Sequence, residues 1–159
     1  TFDALGLDAR LVKAVHKLGF AAPTLVQASA IPLALEGKDI LAQARTGSGK
    51  TAAYALPVLQ KILTLVDLNK ADGIKALVLV PTKELCDQAL RDFQSFCIYC
   101  LKEISIVAIA SDQPLEEQKV RLQETPDILI CTPGRLALHL DRKNVVLTEA
   151  LSMLVIDEA

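Results

Sequence analysis

Residues Ala44-Arg45-Thr46-Gly47-Ser48-Gly49-Lys50-Thr51 stand between an apolar run, Ile40-Leu41-Ala42, and a helical pattern from Ala52 to Leu63. The run predicts a buried strand, so the order is strand, small-residue loop, helix. In that setting backbone N–H groups of the loop wrap phosphate oxygens, and the helix N-terminus adds its partial positive charge. Lys50 is expected to reach the β- and γ-phosphates of a nucleoside triphosphate, and the Thr51 hydroxyl to ligate Mg²⁺. A Gly/Ser-rich turn with an exposed lysine is the plain alternative, and the flanking strand and helix argue against it.

The rest of the chain alternates helix and strand. Asp8 can cap a first helix, with Leu11, Val12, Val15 and Leu18 on one face and Gly19 after it. Thr24 can cap a second that runs to about Leu35 and closes at Gly37. The helix after the phosphate loop carries Pro57, which predicts a kink, and Asp67 to Gly73 reads as a loop. Ala76 to Val80 is an apolar run ended by Pro81, hence a buried strand. Thr82 then opens a helix to about Cys100. Ile104–Ile109, Ile128–Cys131 and Leu154–Ile156 read as strands, Leu115–Gln123 as a helix, and Thr132 and Pro133 as the start of another. Strands apolar on both faces and separated by helices imply a three-layer α/β fold with a parallel sheet.

Composition agrees with one such domain. The 159 residues are 52% hydrophobic, yet aromatics make up only 4% and Trp is absent, so the core must be aliphatic. No apolar run approaches the ~18 residues of a membrane span, and neither a signal peptide nor a membrane partner is expected. A net charge of −2 and a pI near 5.7 exclude a polycation, though not a local basic track. Cys97 and Cys100 form a lone C-x-x-C beside Phe93 and Phe96, with no second ligand pair for zinc. Together with Cys86 and Cys131 they are expected to pack as reduced thiols, which suggests an intracellular, reducing compartment.

The last strand ends in Asp157-Glu158-Ala159. Ligands of open α/β sheets sit at the C-terminal ends of strands, so an acidic pair there is the expected partner of the phosphate loop. Asp157 is expected to hold Mg²⁺ through water, and Glu158 to orient and deprotonate an attacking water. An ordinary helix cap is the alternative for this pair taken alone.

The order of these motifs resembles the DEAD-box ATP-dependent RNA helicases. Gly19-Phe20, Pro23-Thr24 and Gln27, with Phe2 upstream, match the family's Q motif, and Ala44 to Thr51 its motif I. Pro81-Thr82-Lys83-Glu84-Leu85 looks like motif Ia, Thr132-Pro133-Gly134-Arg135 like motif Ib, and Asp157-Glu158-Ala159 like motif II. The resemblance implies a RecA-like P-loop NTPase fold, with residues 1–37 as the Q-motif region and 38–159 as the ATP-binding core. It implies that Phe2 packs on adenine and that Gln27 hydrogen-bonds the base. Thr24-x-x-Gln27 is also a capping box, in which the Gln27 side chain bonds the Thr24 N–H. Pro81, Thr82, Lys83, Thr132, Pro133, Gly134 and Arg135 would hold the sugar–phosphate backbone of single-stranded RNA without reading its sequence.

Three departures stand out. Lys83 replaces the family's usual Arg, Cys86 replaces Ala, and Ala110-Ser111-Asp112 occupies the stretch where a Gly-Gly pair is usual. Pro81-Thr82-Lys83-Glu84-Leu85 together with the missing Gly-Gly pair resembles a nucleolar subgroup that acts in large ribosomal subunit assembly, with preribosomal proteins as partners; a cytoplasmic location is the alternative. An ATP-gated RNA clamp that does not unwind, and another type of P-loop ATPase, are the competing functions. The resemblance also implies that the domain is incomplete. The family continues into a further strand, inserted between the phosphate-loop strand and the acidic strand, and then into a second RecA-like domain. The 159 residues are therefore expected to be inactive alone.

Overall fold

The computed structural model describes residues 1–68 and 72–158. Asn69 to Ala71, inside the expected loop, and Ala159, the last residue of the acidic motif, lie outside the described residues.

The chain opens with a 3₁₀ turn, Phe2–Leu5, and continues through α1 (Ala9–Lys17), α2 (Leu25–Leu35) and α3 (Lys50–Asp67). Then follow β1 (Ala76–Leu79), α4 (Lys83–Phe96), β2 (Ile106–Ile109), α5 (Leu115–Gln123), β3 (Ile128–Cys131), α6 (Pro133–Asp141) and β4 (Met153–Ile156). The four strands form one parallel sheet in the order β2-β3-β1-β4. Helices α4 and α6 each follow a strand directly, so both begin at the sheet's C-terminal edge.

Residues of β1, β2 and β3 alternate between two apolar clusters, as a period of two requires, whereas β4 buries one face only. Ala76, Val78, Ile128 and Ile130 join the larger one, with α1, α3 and α4. Leu77, Ile109, Leu129 and Cys131 join the smaller, with Leu122 of α5 and Val145. The three-layer α/β expectation holds. Among the described residues no helix is long and apolar enough to cross a membrane.

Local chemistry sets the helix ends. Asp8 accepts the Arg10 N–H at the start of α1, and its pKa is held below the carboxylate range chiefly by the Arg10 side chain. Gly19 and Gly37 follow α1 and α2 in left-handed conformations that favour glycine. All four cysteines are free and buried, as their apolar neighbours predict.

Three expectations need correction. Ile40-Leu41-Ala42 is not a buried strand: the segment joins no ladder, and Leu41 is 100% exposed. A strand is held by backbone bonds to a neighbour, and no described strand lies beside this one. Helix α4 stops at Phe96 rather than Cys100, because the chain turns so that Cys97 and Cys100 both enter the core while Ile98 and Tyr99 face outward. Leu18 lies past the end of α1 and is exposed, outside the apolar face assigned to it.

Candidate active site and nucleic-acid face

Gly49 is the N-cap of α3, so Lys50 and Thr51 occupy its first turn, with unpaired N–H groups of the helix start beside them. Gly47 and Gly49 take φ values of 79° and 84°. Around Gly47 there is open space where a Cβ would sit, whereas a Cβ on Gly49 would collide with the Gln27 amide. The loop is therefore folded tightly against α2 on one side and open on the other. Ser48 Oγ is buried there with no hydrogen-bond partner among the described residues. A buried hydroxyl left unpaired costs free energy unless something binds it. A groove of about 470 Å³ runs from this loop along the start of α2, past Thr24, Val26, Ser29, Gln43 and Ala44.

Across from the loop, β4 carries the acidic pair. Asp157 N–H continues the ladder by bonding Leu79 O at 2.9 Å, which fixes Asp157 at the strand's C-terminal end. Its carboxylate lies 3.9 Å from Lys50 Nζ and accepts a 3.0 Å bond from Tyr54 Oη. Burial, then Asp157, push the Tyr54 phenol pKa well above its ordinary value, so it stays a donor. Tyr54 went unnoticed in the sequence, although it follows Lys50 by one helical turn and so shares its face. Glu158 is exposed and has φ 61°, a conformation that costs a non-glycine residue about 1–2 kcal/mol.

The Q-motif residues are placed less simply. Gln27 Oε1 accepts the Thr24 N–H at 3.0 Å, and Thr24 Oγ1 accepts the Gln27 N–H at 3.4 Å, so the capping box forms. Gln27 Nε2 also donates to Gly49 O at 3.2 Å, tying α2 to the phosphate loop. The amide is nearly fully buried. Phe2 is a correction: the ring is wholly buried against Phe20, with centroids 6.3 Å apart, and offers no free face to a base. An aromatic flanked by Leu5 and Leu7 gains more by joining the aliphatic core than by facing water.

The residues expected to face RNA lie at the ends of β1 and β3. Thr82 caps α4 and accepts the Leu85 N–H at 3.2 Å, while Thr132 precedes α6 with its hydroxyl outside any cap bond. Pro81, Pro133 and Gly134 are exposed, and a Cβ on Gly134 would meet open space. Lys83 and Arg135 both reach the adjacent residues Ser111 and Asp112. Because α4 and α6 start at the edge where β4 presents Asp157, the two sets share one end of the sheet.

The profile of the DEAD/DEAH box helicase family matches residues 24–159. The chain belongs to that family. It is 50% identical over 159 residues to the "Probable ATP-dependent RNA helicase ddx56" of Dictyostelium discoideum, covering all of this chain and 23% of that protein. It is 45% identical over 160 residues to the ATP-dependent RNA helicase dbp9 of Schizosaccharomyces pombe, covering 27% of it. The chain thus spans about a quarter of the length of these curated relatives. Among solved structures, the yeast DEAD-box splicing factor Prp28 superposes with a TM-score of 0.82 at 34% identity, over 96% of this chain and 36% of that one. Prp28 from Chaetomium thermophilum, solved with ADP, gives 0.80 at 35% identity, over 97% and 37%. These neighbours bear out the RecA-like fold.

Proposed function

We propose that this domain is the N-terminal ATP-binding half of an ATP-dependent RNA helicase, holding ATP–Mg²⁺ and the backbone of single-stranded RNA at one end of its sheet. The observation that carries the reading is the convergence of Lys50 and Tyr54 on Asp157, with the unpaired Ser48 hydroxyl close by in the loop. ATP supplies the phosphoanhydride whose hydrolysis drives the cycle. Ala44 to Gly49 offer it backbone donors, and Lys50 offsets phosphate charge. Thr51, and Asp157 through water, are suited to Mg²⁺, which neutralises charge on the phosphate oxygens. Glu158 is the general base for the attacking water. Beyond its side-chain bonds to Thr24 N–H and Gly49 O, the Gln27 amide keeps one hydrogen and one carbonyl lone pair, the donor and acceptor that a two-point contact with adenine needs.

The test is a pair of variants of the complete polypeptide. Lys50→Ala is expected to abolish ATP binding, and Glu158→Gln to keep binding while losing RNA-stimulated turnover. Normal turnover by Glu158→Gln would remove the base assignment.

A narrower reading, work in nucleolar assembly of the large ribosomal subunit beside preribosomal proteins, is supported by Lys83 and by the Ala110-Ser111-Asp112 stretch. RNA crosslinking in cells tests it, since recovery of only non-ribosomal RNA would exclude it. The second RecA-like domain of the same polypeptide is proposed to complete the site with arginine side chains. An arginine supplied in this way is worth roughly 10³–10⁵ in rate in related phosphoryl transfers.

A further inference from the structure

The two cations of the RNA face are both engaged by one short loop between β2 and α5. Lys83 Nζ lies 3.5 Å from Asp112 Oδ2 and 3.6 Å from Asp87 Oδ2, the latter one turn along its own helix. Arg135 Nη2 donates a 2.9 Å bond to Ser111 O. The loop is not a free strand of chain. Gln118, fully buried in α5, donates its amide to Ala110 O. Its Oε1 accepts from His139 Nε2 of α6 at 2.8 Å, and His139 Nδ1 accepts from Asn144 at 3.1 Å. Each side-chain nitrogen and oxygen of the buried Gln118 and His139 has a partner, so the loop is pinned on its inner side while Asp112 faces outward beside Lys83. Both side chains of the pair are roughly 40% exposed, which leaves each within reach of a ligand. The carboxylates of Asp112, first, and Asp87 raise the Lys83 pKa, the direction expected of a cation already partnered.

We propose that Asp112 is a built-in stand-in for an RNA phosphate: its carboxylate holds Lys83, and RNA gains that cation only by displacing it. The proposal rests on the reading of this face as RNA-binding. A carboxylate and a phosphate oxygen present the same charge and acceptor chemistry to an ammonium group. The consequence is weaker grip and a shallower salt dependence, because a displaced Asp112 takes up a cation as the RNA phosphate releases one.

Anisotropy of a labelled oligouridine bound to the complete polypeptide, at about 50 and 200 mM salt, reads the effect. Asp112→Asn and Asp112→Ser should each bind roughly three- to tenfold tighter at the lower salt. Their log–log salt slope should steepen by about 0.7, the single-strand value for one phosphate contact. Asp112→Glu should stay near the natural affinity, and Lys83→Ala should erase the gain when combined with Asp112→Asn. Unchanged or weaker binding by both neutral variants overturns the proposal, as does an equal gain from Glu149→Gln, an exposed acid before β4 and remote from Lys83, which would point to bulk charge. Arg135→Ala separates the two layers. If it binds RNA normally, the face is misassigned and the proposal falls with it. If it weakens binding while the neutral variants do nothing, only the role of Asp112 is lost.

Discussion

Tyr54 Oη donates a 3.0 Å hydrogen bond to Asp157 Oδ2, joining the first turns of α3 to the end of β4 across 103 positions of sequence. The same carboxylate lies near Lys50 through its other oxygen. One acid is thus aimed by a phenol and a cation that share a helix face.

Tyr54→Phe keeps the ring and removes only the donor. Stability is expected to fall by about 0.5–1.5 kcal/mol in a denaturant titration. More tellingly, ATP hydrolysis by the complete polypeptide should need a higher Mg²⁺ concentration for half-maximal rate, because Asp157 is no longer held in place. An unchanged Mg²⁺ requirement would leave the bond a structural tie alone.

Gln27→Ala carries two readouts at once. Losing the bonds to Thr24 N–H and Gly49 O should cost about 0.5–2 kcal/mol of stability. If the spare donor and acceptor of the amide serve adenine, the preference for ATP over GTP should erode in the same variant. A fall in stability with undiminished preference would assign Gln27 wholly to the cap.

How much of this was legible in the sequence varies with the range of the interaction. Helix starts at Asp8, Thr24 and Thr82, and the strand Ile128–Cys131, follow from local caps and apolar runs, and the structure keeps them. The phosphate loop and the acidic strand were readable because their chemistry is written in adjacent residues. Ile40 to Ala42 misled because an apolar run signals a strand only where a neighbour completes its ladder, and neighbours are not a local property. Phe2 misled because burial against Phe20 depends on how α1 folds back. The Lys83–Asp112 pair and the Gln118–His139–Asn144 relay cross between elements, and no spacing along the chain announces them.

At the opposite end of the sheet, Lys75 Nζ meets Asp127 Oδ1 at 2.7 Å, and Asp127 Oδ2 accepts the Ser105 N–H at 2.9 Å. Lys75 is buried, so removing its partner strands a charge out of water. Asp127→Ala should therefore cost about 3–5 kcal/mol by denaturant unfolding, whereas replacing both residues with apolar side chains of similar volume should recover most of it. Because this pair is remote from the phosphate loop, ATP affinity of the folded variant should not change. A loss below 1 kcal/mol would mean that water reaches the lysine freely.

Burial raises the pKa of Cys86 to about 11 and of Cys97 and Cys131 to about 12, and raises that of Cys100 as well. These thiols stay protonated in the fold at a pH where an unfolded thiol, near 9, has begun to ionise. The folded state then binds more protons, so stability falls as pH rises from about 9 towards 11–12 and is unaffected by the thiols below that window. At neutral pH a thiol reagent should label none of the four until denaturant is added. Rapid labelling of native protein would contradict their burial.

The outer edge of β4 pairs with nothing among the described residues, and Leu154 and Ile156 on it are 57% and 58% exposed. Leu41, on the unpaired segment leading to the phosphate loop, faces water as well. An open strand edge with apolar side chains is a template for pairing with another chain. Expressed by themselves, these 159 residues should self-associate at micromolar concentration and melt broadly, since the segment before the phosphate loop has no ladder to cooperate with. They should also show no RNA-stimulated ATPase. Leu154→Lys with Ile156→Lys should restore a monomer in analytical ultracentrifugation, because charge on an edge opposes strand addition, without restoring turnover. A monomer with a sharp two-state melt, formed by the unaltered chain, would show that this edge is covered in solution and that the exposed apolar residues do not drive association.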